Sequence, residues 1–225
     1  METHLLVGSG GETGRALAGN LAKEGHKLVI TTHRLLPSDS FPSSTIQWDF
    51  YFPDKGKAAL DKALGPDSLA SISLFAHPPF RRETPSSGTQ EGILSPFSSL
   101  LSLLDHLHPR LATGSLLLFF VPSLSRHRAD GYLGPRLWVG ALQGLIGEWS
   151  RNREGILVTG IESLISPGRS TPHMTPEMVE RVAGRTSRGR LATANEIADF
   201  AAWLILSGSP LFHGQILQTE GGPYF

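Results

Sequence analysis

Residues 5–32 read LLVGSGGETGRALAGNLAKEGHKLVITT. The apolar run of residues 5–7 stops at Gly8, residues 15–25 space their apolar positions as a helix does, and residues 27–32 form a second apolar run. The apolar side chains on one face of this helix are Ala16, Leu17, Leu21 and Ala22. A strand, a turn, a helix and a second strand within about 30 residues make a βαβ unit, which has parallel strands and a right-handed crossover. The stretch therefore predicts a parallel sheet.

The same alternation continues along the rest of the chain. Further candidate strands are residues 46–48, 69–76, 115–121, 156–161 and 215–219. Further candidate helices are residues 58–64, 93–107, 138–149 and 196–206, and residues 78–87 form a candidate loop rich in Pro, Ser and Arg. Alternating strands and helices predict an α/β fold with a Rossmann-type, doubly wound parallel sheet of about seven strands. Because no repeat or low-complexity linker divides the sequence, we expect residues 1–225 to form a single domain.

Composition excludes several functional classes. The 20 Lys and Arg residues are matched by 20 Asp and Glu residues, so no global field attracts nucleic acid or an anionic membrane, and we expect neither as a partner. The absence of Cys excludes disulfides, thiolate catalysis and sulfur-ligated metal sites. The longest apolar run, residues 116–121, is far shorter than the about 20 residues of a membrane-spanning helix. The opening METHLLVGSGGETG has no basic segment typical of a secretory signal, so we expect a cytoplasmic protein.

Two segments near the end of the chain carry a family resemblance. Residues 189–198 read GRLATANEIA, similar to a "GRxxxPEEIA" helix start, and residues 212–222 read FHGQILQTEGG, similar to "ITGQVLxVDGG". With the segments above, they resemble the short-chain dehydrogenase/reductase family over nearly the whole chain, nearest to its ketoacyl-carrier-protein reductase branch. The resemblance implies a Rossmann-type fold, an NADP(H) cofactor and an oligomer.

The cofactor turn that the resemblance implies is only half present. The family's TGxxxGxG turn puts Gly8 on its first glycine, Gly14 on its last and Glu12 on the middle one, while Gly10 offers a shifted glycine. A carboxylate about 4 Å from a phosphate costs on the order of 4 kcal/mol at an effective dielectric of about 20. The expected cofactor is therefore none, or weakly bound NADP(H).

Other positions around the implied nucleotide site are mixed. Arg34 follows the second strand, where it would suit a ribose 2′-phosphate, although a solvated loop cation is an equal alternative. Asp49 matches the family's aspartate beside the adenine, or else is a turn residue. The family's NNAG loop reads FAHPP at residues 75–79, and its two prolines cannot donate backbone N–H bonds.

The catalytic residues that the resemblance implies are not found in place. Family members reduce a carbonyl with a Tyr acid, a Lys that lowers the Tyr pKa, a Ser and a helix Asn; an unperturbed Tyr, with a pKa near 10, is a poor acid. Residues 140–145, GALQGL, resemble the "AALxGL" that follows the family's lysine, and residues 104–107, LDHL, resemble its "LPHL". These anchors place other residue types at the four positions: Val139 for Lys, Pro135 for Tyr, Pro122 or Ser123 for Ser, and Gly92 for Asn.

Two alternatives for catalysis stay open, and no metal site is expected. Tyr132 lies seven residues before Val139, the enoyl-reductase spacing, and four before Arg136, whose planar guanidinium is a poor substitute for the ammonium. His77 lies where substrate and cofactor meet in the family, and a neutral imidazole there could do acid–base work near pH 7. A metal shared by His106 and His108 is disfavoured, because residues two apart on a helix do not face each other.

The leading hypothesis is a catalytically degenerate family member, a non-catalytic subunit that partners an active ketoreductase-type enzyme in acyl thioester metabolism. The helices of residues 93–107 and 138–149 and the terminal GGPYF resemble the family's oligomer surfaces. The alternatives are an NADP(H)-dependent oxoacyl reductase with Tyr132 as a relocated acid, and a non-redox cyclase or isomerase on the old pocket. Arginines flanking the expected pocket mouth would suit an acyl-carrier protein or an acyl-CoA, with solvated loop cations as the favoured alternative: Arg81, Arg82, Arg126 and Arg128.

Overall fold

A computed structural model describes most of the chain. It describes residues 1–33, 43–48, 56–76, 89–122, 133–163, 175–184, 186–208 and 210–219, and of residues 89–93, 133–135 and 163 it describes the backbone.

A parallel sheet of seven strands forms the centre of the described structure. The strands are β1 (Thr3–Val7), β2 (Lys27–Thr32), β3 (Ser43–Gln47), β4 (Leu69–Leu74), β5 (Leu111–Pro122), β6 (Leu157–Ser163) and β7 (Ile216–Gln218). Their order across the sheet is β3-β2-β1-β4-β5-β6-β7, and every neighbouring pair is parallel. The prediction of a doubly wound, Rossmann-type α/β fold is confirmed.

Described helices lie between β1 and β2 and between each pair of successive strands from β3 to β7. They are α1 (Glu12–Lys23), α2 (Lys57–Leu64), α3 (Thr89–Leu107), α4 (Leu133–Asn152), α5 (Pro176–Ala183) and α6 (Ala194–Ser207). Short 3₁₀ helices follow α3 at His108–Arg110 and α6 at Pro210–Phe212. None of the described helices is both long and apolar enough to cross a membrane.

Several predicted boundaries were wrong by a few residues. α1 begins at Glu12, three residues before the predicted start, because the turn ends at Gly11, which serves as the N-cap. β5 begins at Leu111 and not at residue 115, since Leu111 pairs with Leu69 ahead of an irregularity in the β4–β5 pairing. α5 was not predicted at all.

Alternation along the strands divides the core between the two faces of the sheet. In β1, Leu5 and Val7 pack with α2, α3 and α4, whereas Leu6 packs with α1 and α6. Because strand side chains point to opposite faces in turn, one short apolar strand contributes to both cores. All three of these side chains are at most 2% exposed.

The order of the strands fixes where a ligand crevice lies. The chain runs outward from β1 to β3 on one side, then returns to β4 beside β1 and runs outward to β7 on the other side. Ligands of open α/β sheets bind outside the carboxyl ends of the strands at such a switch point. The candidate site is therefore the crevice beyond Val7 and Leu74, the last residues of β1 and β4.

Candidate functional site

Apolar side chains line the crevice at the carboxyl ends of β1 and β4. A small recess there is lined by Val7, Leu74, Phe75, Ala76 and Leu100. Phe75 also stacks on Phe120, with ring centroids 4.0 Å apart and planes within 10°. The described residues that line this recess supply shape and include no titratable side chain.

The turn after β1 has the geometry of a close backbone approach. Gly8 has a φ of +73°, and a Cβ added there would lie 3.1 Å from the Phe75 carbonyl oxygen. A Cβ on Gly14 would overlap the backbone of Ser9. Glycine is therefore required at both positions, whereas a Cβ on Gly10 would make ordinary contacts with Thr32.

Glu12 is the first residue of α1 and is half-buried. An acidic residue in the first turn stabilises a helix through its dipole, so Glu12 has a structural reason to be there. A pyrophosphate bound at the helix start would face the backbone N–H groups of this same first turn. The turn fits a dinucleotide at Gly8 and Gly14 and does not fit it at Glu12.

The turn is held by Thr31 at the end of β2. The backbone N–H of Gly8 donates to the Thr31 side-chain oxygen at 3.1 Å, and that of Ser9 donates to the Thr31 carbonyl oxygen at 3.1 Å. The fixed turn leaves Glu12 at the start of α1.

Two buried residues of α4 lie at and beside the position where the motif of residues 140–145 predicts the family's lysine. Val139, which the motif of residues 140–145 places on that lysine, is 2% exposed. Trp138 beside it is fully buried, donates its indole N–H to the Ala76 carbonyl oxygen at 2.9 Å, and packs edge-on against Phe97. Trp138 ties α4 to the segment after β4, a contact that the sequence analysis did not predict because it joins residues 62 apart in the chain.

The lysines of the chain lie elsewhere. All five lysines fall between residues 23 and 62, a signal readable in the sequence, and α4 contains none. Lys27 pairs with Asp67 at 2.6 Å, and Lys57 donates to Ser102 at 3.1 Å. Neither of these two ammonium groups lies on α4 or β5, where the alignment places the family's lysine, tyrosine and serine.

The remaining positions from the alignment lie on three elements. Gly92 lies in α3, Pro122 is the last residue of β5, and Pro135 lies in the first turn of α4, one turn before Val139. The described structure thus brings Pro122, Pro135 and Val139 to neighbouring elements, with apolar or proline side chains. The predicted residues Arg34, Asp49, His77, Ser123 and Tyr132 lie outside the described residues and stay predictions, as do Arg81, Arg82, Arg126 and Arg128.

The two histidines near the end of α3 contact different partners. His106 Nε2 lies 3.0 Å from Asp61 Oδ1, and Arg110 donates to the same oxygen at 3.0 Å. His108 lies in the following 3₁₀ helix and packs edge-on against Trp149. His106 thus connects α3 to α2, and His108 connects to α4.

Comparison with known proteins identifies the fold. No protein-family model matches the chain, and no curated protein matches it by sequence. A solved structure of a short chain dehydrogenase family protein from Francisella tularensis subsp. tularensis SCHU S4 superposes with a TM-score of 0.83 at 15% identity, covering 99% of this chain and 98% of that one. A 7 alpha-hydroxysteroid dehydrogenase solved with NADH and 7-oxo glycochenodeoxycholic acid gives 0.82 at 16% identity, over 99% and 94%. The enoyl-[acyl-carrier-protein] reductase (NADH) from Aquifex aeolicus VF5 gives 0.80 at 17% identity, over 98% and 95%. The chain therefore has the fold of the short-chain dehydrogenases/reductases.

Proposed function

We propose that this chain is a catalytically degenerate short-chain dehydrogenase/reductase, a non-catalytic subunit that works beside an active ketoreductase-type enzyme in acyl thioester metabolism. The observation that carries the proposal is the burial of Val139, at the position that the family motif predicts for the lysine, and of its neighbour Trp138. Hydride transfer to a carbonyl leaves an alkoxide to be protonated, and a tyrosine with a pKa near 10 does this poorly without a neighbouring cation.

The nearest cation on the same helix does not replace the lysine. Arg136 lies one turn before Gly140 on α4 and is exposed, whereas Val139 faces the core. The guanidinium of Arg136 is planar and would not hold a ribose as the compact ammonium of a lysine does. The Tyr132–Arg136 alternative therefore gains no support from the orientation of α4.

The nucleotide turn supports the same proposal. Glu12 at the start of α1 opposes a bound pyrophosphate, so we expect NADP(H) to bind weakly or not at all. Gly8 and Gly14 keep the shape of the turn for a structural reason, since each contacts backbone that a Cβ would strike.

The outer surfaces of α3 and α4 support an oligomeric role. Leu94 on α3 is 66% exposed and Leu137 on α4 is 48% exposed, while both helices bury their other faces in one core. Contiguous exposed apolar patches mark interaction surfaces, and these two leucines on adjoining helices are the candidates for such a patch. We propose that they contact a second subunit, either another copy of this chain or the active reductase.

The first experiment measures cofactor binding and turnover by the purified chain. Calorimetric titration with NADPH is expected to give weak or undetectable binding, and NADPH-dependent reduction of an acetoacetyl thioester is expected to be absent. Glu12→Gln removes the opposing charge, so affinity should rise, by up to about a thousandfold if the full 4 kcal/mol is recovered. Glu24→Gln, at the other end of α1, is the matched control and should leave affinity unchanged.

The outcomes separate the proposal from its rivals. Measurable thioester reduction by the wild-type chain would refute it, and loss of that activity in Tyr132→Phe would identify a reductase with a relocated acid. Tight ligand binding and turnover without nicotinamide would instead identify a non-redox enzyme.

A second experiment tests the partner. Purification from the native host should recover, at a fixed stoichiometry, a short-chain dehydrogenase/reductase whose mass-spectrometric sequence contains the Ser, Tyr, Lys and Asn set. Recovery of this chain alone would count against a heteromeric role.

A further inference from the structure

Three ligating side chains converge at the amino ends of β1 and β2, the edge of the sheet opposite the crevice. Glu2 and His4 are two residues apart on one extended segment, so their side chains point to the same face. His26 immediately precedes β2, which pairs with β1 from Thr3 and Lys27 onward. One oxygen of Glu2 and one ring nitrogen from each of His4 and His26 lie within 4.8 Å of one another.

The ring nitrogens that face this cluster lack hydrogen-bond partners. His4 is 1% exposed, and its Nδ1 lies 2.8 Å from the Ser71 hydroxyl on β4. Its Nε2 has no hydrogen-bond partner, and neither has the buried Nδ1 of His26. Each of these two nitrogens lies 3.9 Å from the same Glu2 carboxylate oxygen. Buried polar atoms are nearly always paired, so two adjacent unpaired nitrogens require an explanation.

An ion pair between His4 and Glu2 does not explain this geometry. Each nitrogen lies 3.9 Å from the Glu2 oxygen, which is longer than a hydrogen bond, so Glu2 satisfies neither of them. When His4 Nδ1 donates to Ser71, Nε2 presents a lone pair toward the carboxylate. Two acceptors then face each other across a gap, an arrangement that a bound cation stabilises.

We propose that Glu2, His4 and His26 form a binding site for a divalent transition metal ion of the zinc class. Two imidazoles and one carboxylate are a common zinc ligand set that leaves one coordination position open. The nitrogen ligands disfavour Mg²⁺ and Ca²⁺, which take oxygen ligands. The Ser71 hydroxyl on His4 Nδ1 matches the outer hydrogen bond that orients a metal-bound imidazole.

The distances require a small contraction. Ligand atoms about 2.0–2.1 Å from a tetrahedral ion lie about 3.3 Å apart. Glu2 is exposed and the His26 side chain is 17% exposed, so both can move toward the fixed, buried His4. The bound ion would join the start of β1 to the turn between α1 and β2. The site lies at the opposite edge of the sheet from the crevice, so this proposal does not depend on the proposed function.

The test is a ZnCl₂ titration of the full-length chain, free of affinity tags and stripped with a chelator that is then removed. Calorimetry is expected to show one ion per chain, and Zn²⁺ is expected to raise the Tm because it binds only the folded state. Co²⁺ in place of Zn²⁺ should give the absorption of a four-coordinate site.

The variants change Glu2 and His26 and leave the buried His4 in place, so that the fold is retained in the test. His26→Gln is expected to weaken Zn²⁺ binding at least about 100-fold, and Glu2→Gln at least about tenfold. Loss of an outer-shell partner of a metal ligand already costs about 10–100-fold in affinity, so loss of a ligand itself should cost at least this much. His33→Gln, an exposed histidine at the opposite edge, is the matched control and should bind as the wild type does. No stoichiometric Zn²⁺ binding by the wild type, or equal binding and an equal Tm rise in His26→Gln, would overturn the proposal.

Discussion

Gly14 shows how one residue couples the nucleotide turn to α1. A Cβ on Gly14 would overlap the backbone of Ser9, which the turn holds through Thr31 and cannot easily move. We expect Gly14→Ala to lower the free energy of unfolding by about 1–3 kcal/mol, the usual cost of overpacking. Urea denaturation measures this cost.

The control for that prediction is a helix glycine with room around it. Gly147 lies within α4, and the nearest atom to an added Cβ is the end of the flexible Arg151 side chain at 4.0 Å. Gly147→Ala should therefore raise stability by up to about 1 kcal/mol through helix propensity. If both variants are equally stable, the close contact of Gly14 with Ser9 does not constrain the turn.

At the scale of the element, α6 shows what the motif at residues 189–198 does physically. Thr193 is the N-cap and forms a capping box with Glu196. Arg190 binds the same carboxylate with two bonds of 2.6 and 2.8 Å, and Arg188 adds one of 2.7 Å. Glu196 therefore fixes both the start of α6 and the preceding loop.

The bonds to the Glu196 carboxylate predict a pH-dependent contribution to the stability of the fold. The Arg190 guanidinium, then the Thr193 N–H and Arg188, hold the pKa of Glu196 well below its usual 4.5. A depressed folded-state pKa stabilises the fold above the unfolded-state pKa, and the effect is lost as the pH falls toward the folded-state value. Glu196→Gln should thus lower the Tm at pH 7, and its difference from the wild type should shrink below about pH 4.5. Glu180→Gln, an exposed change on α5, should show no such trend in thermal melts.

Helices and strands could be predicted from the sequence where burial follows the apolar pattern. Residues 27–32 are predicted and observed as β2, since every residue after Lys27 is buried. α5 carries only a short apolar stripe, Met178, Val179, Val182 and Ala183, none of it fully buried, although Thr175 and Pro176 form a recognisable helix start. β5 extends through exposed residues 112–114, where hydrogen bonding and not burial defines the strand.

At the scale of the whole molecule, the two edges of the sheet differ in how far sequence reasoning reaches. The crevice at the carboxyl edge could be located from the sequence, because the alternation of strands and helices predicts the fold class. In that fold class, ligands bind at the carboxyl ends of the strands. The cluster of Glu2, His4 and His26 at the amino edge could not, because it depends on the register between β1 and β2. The contact of His4 with Ser71 likewise depends on the pairing of β1 with β4, 67 residues away.

The assembly of the molecule gives the last prediction. If Leu94 on α3 and Leu137 on α4 contact a second copy of this chain, placing carboxylates at these positions puts unpaired charge into an apolar interface. The double variant Leu94→Glu/Leu137→Glu should then have a smaller mass than the wild type in light scattering after size exclusion, with unchanged circular dichroism. Leu206→Glu on α6 replaces a leucine of similar exposure, 45%, and should keep the wild-type mass. Dissociation by Leu206→Glu alone would move the interface to α6, where Trp203, 50% exposed, stacks on Phe200. A wild-type chain that is already monomeric would refute a contact between copies of this chain through Leu94 and Leu137.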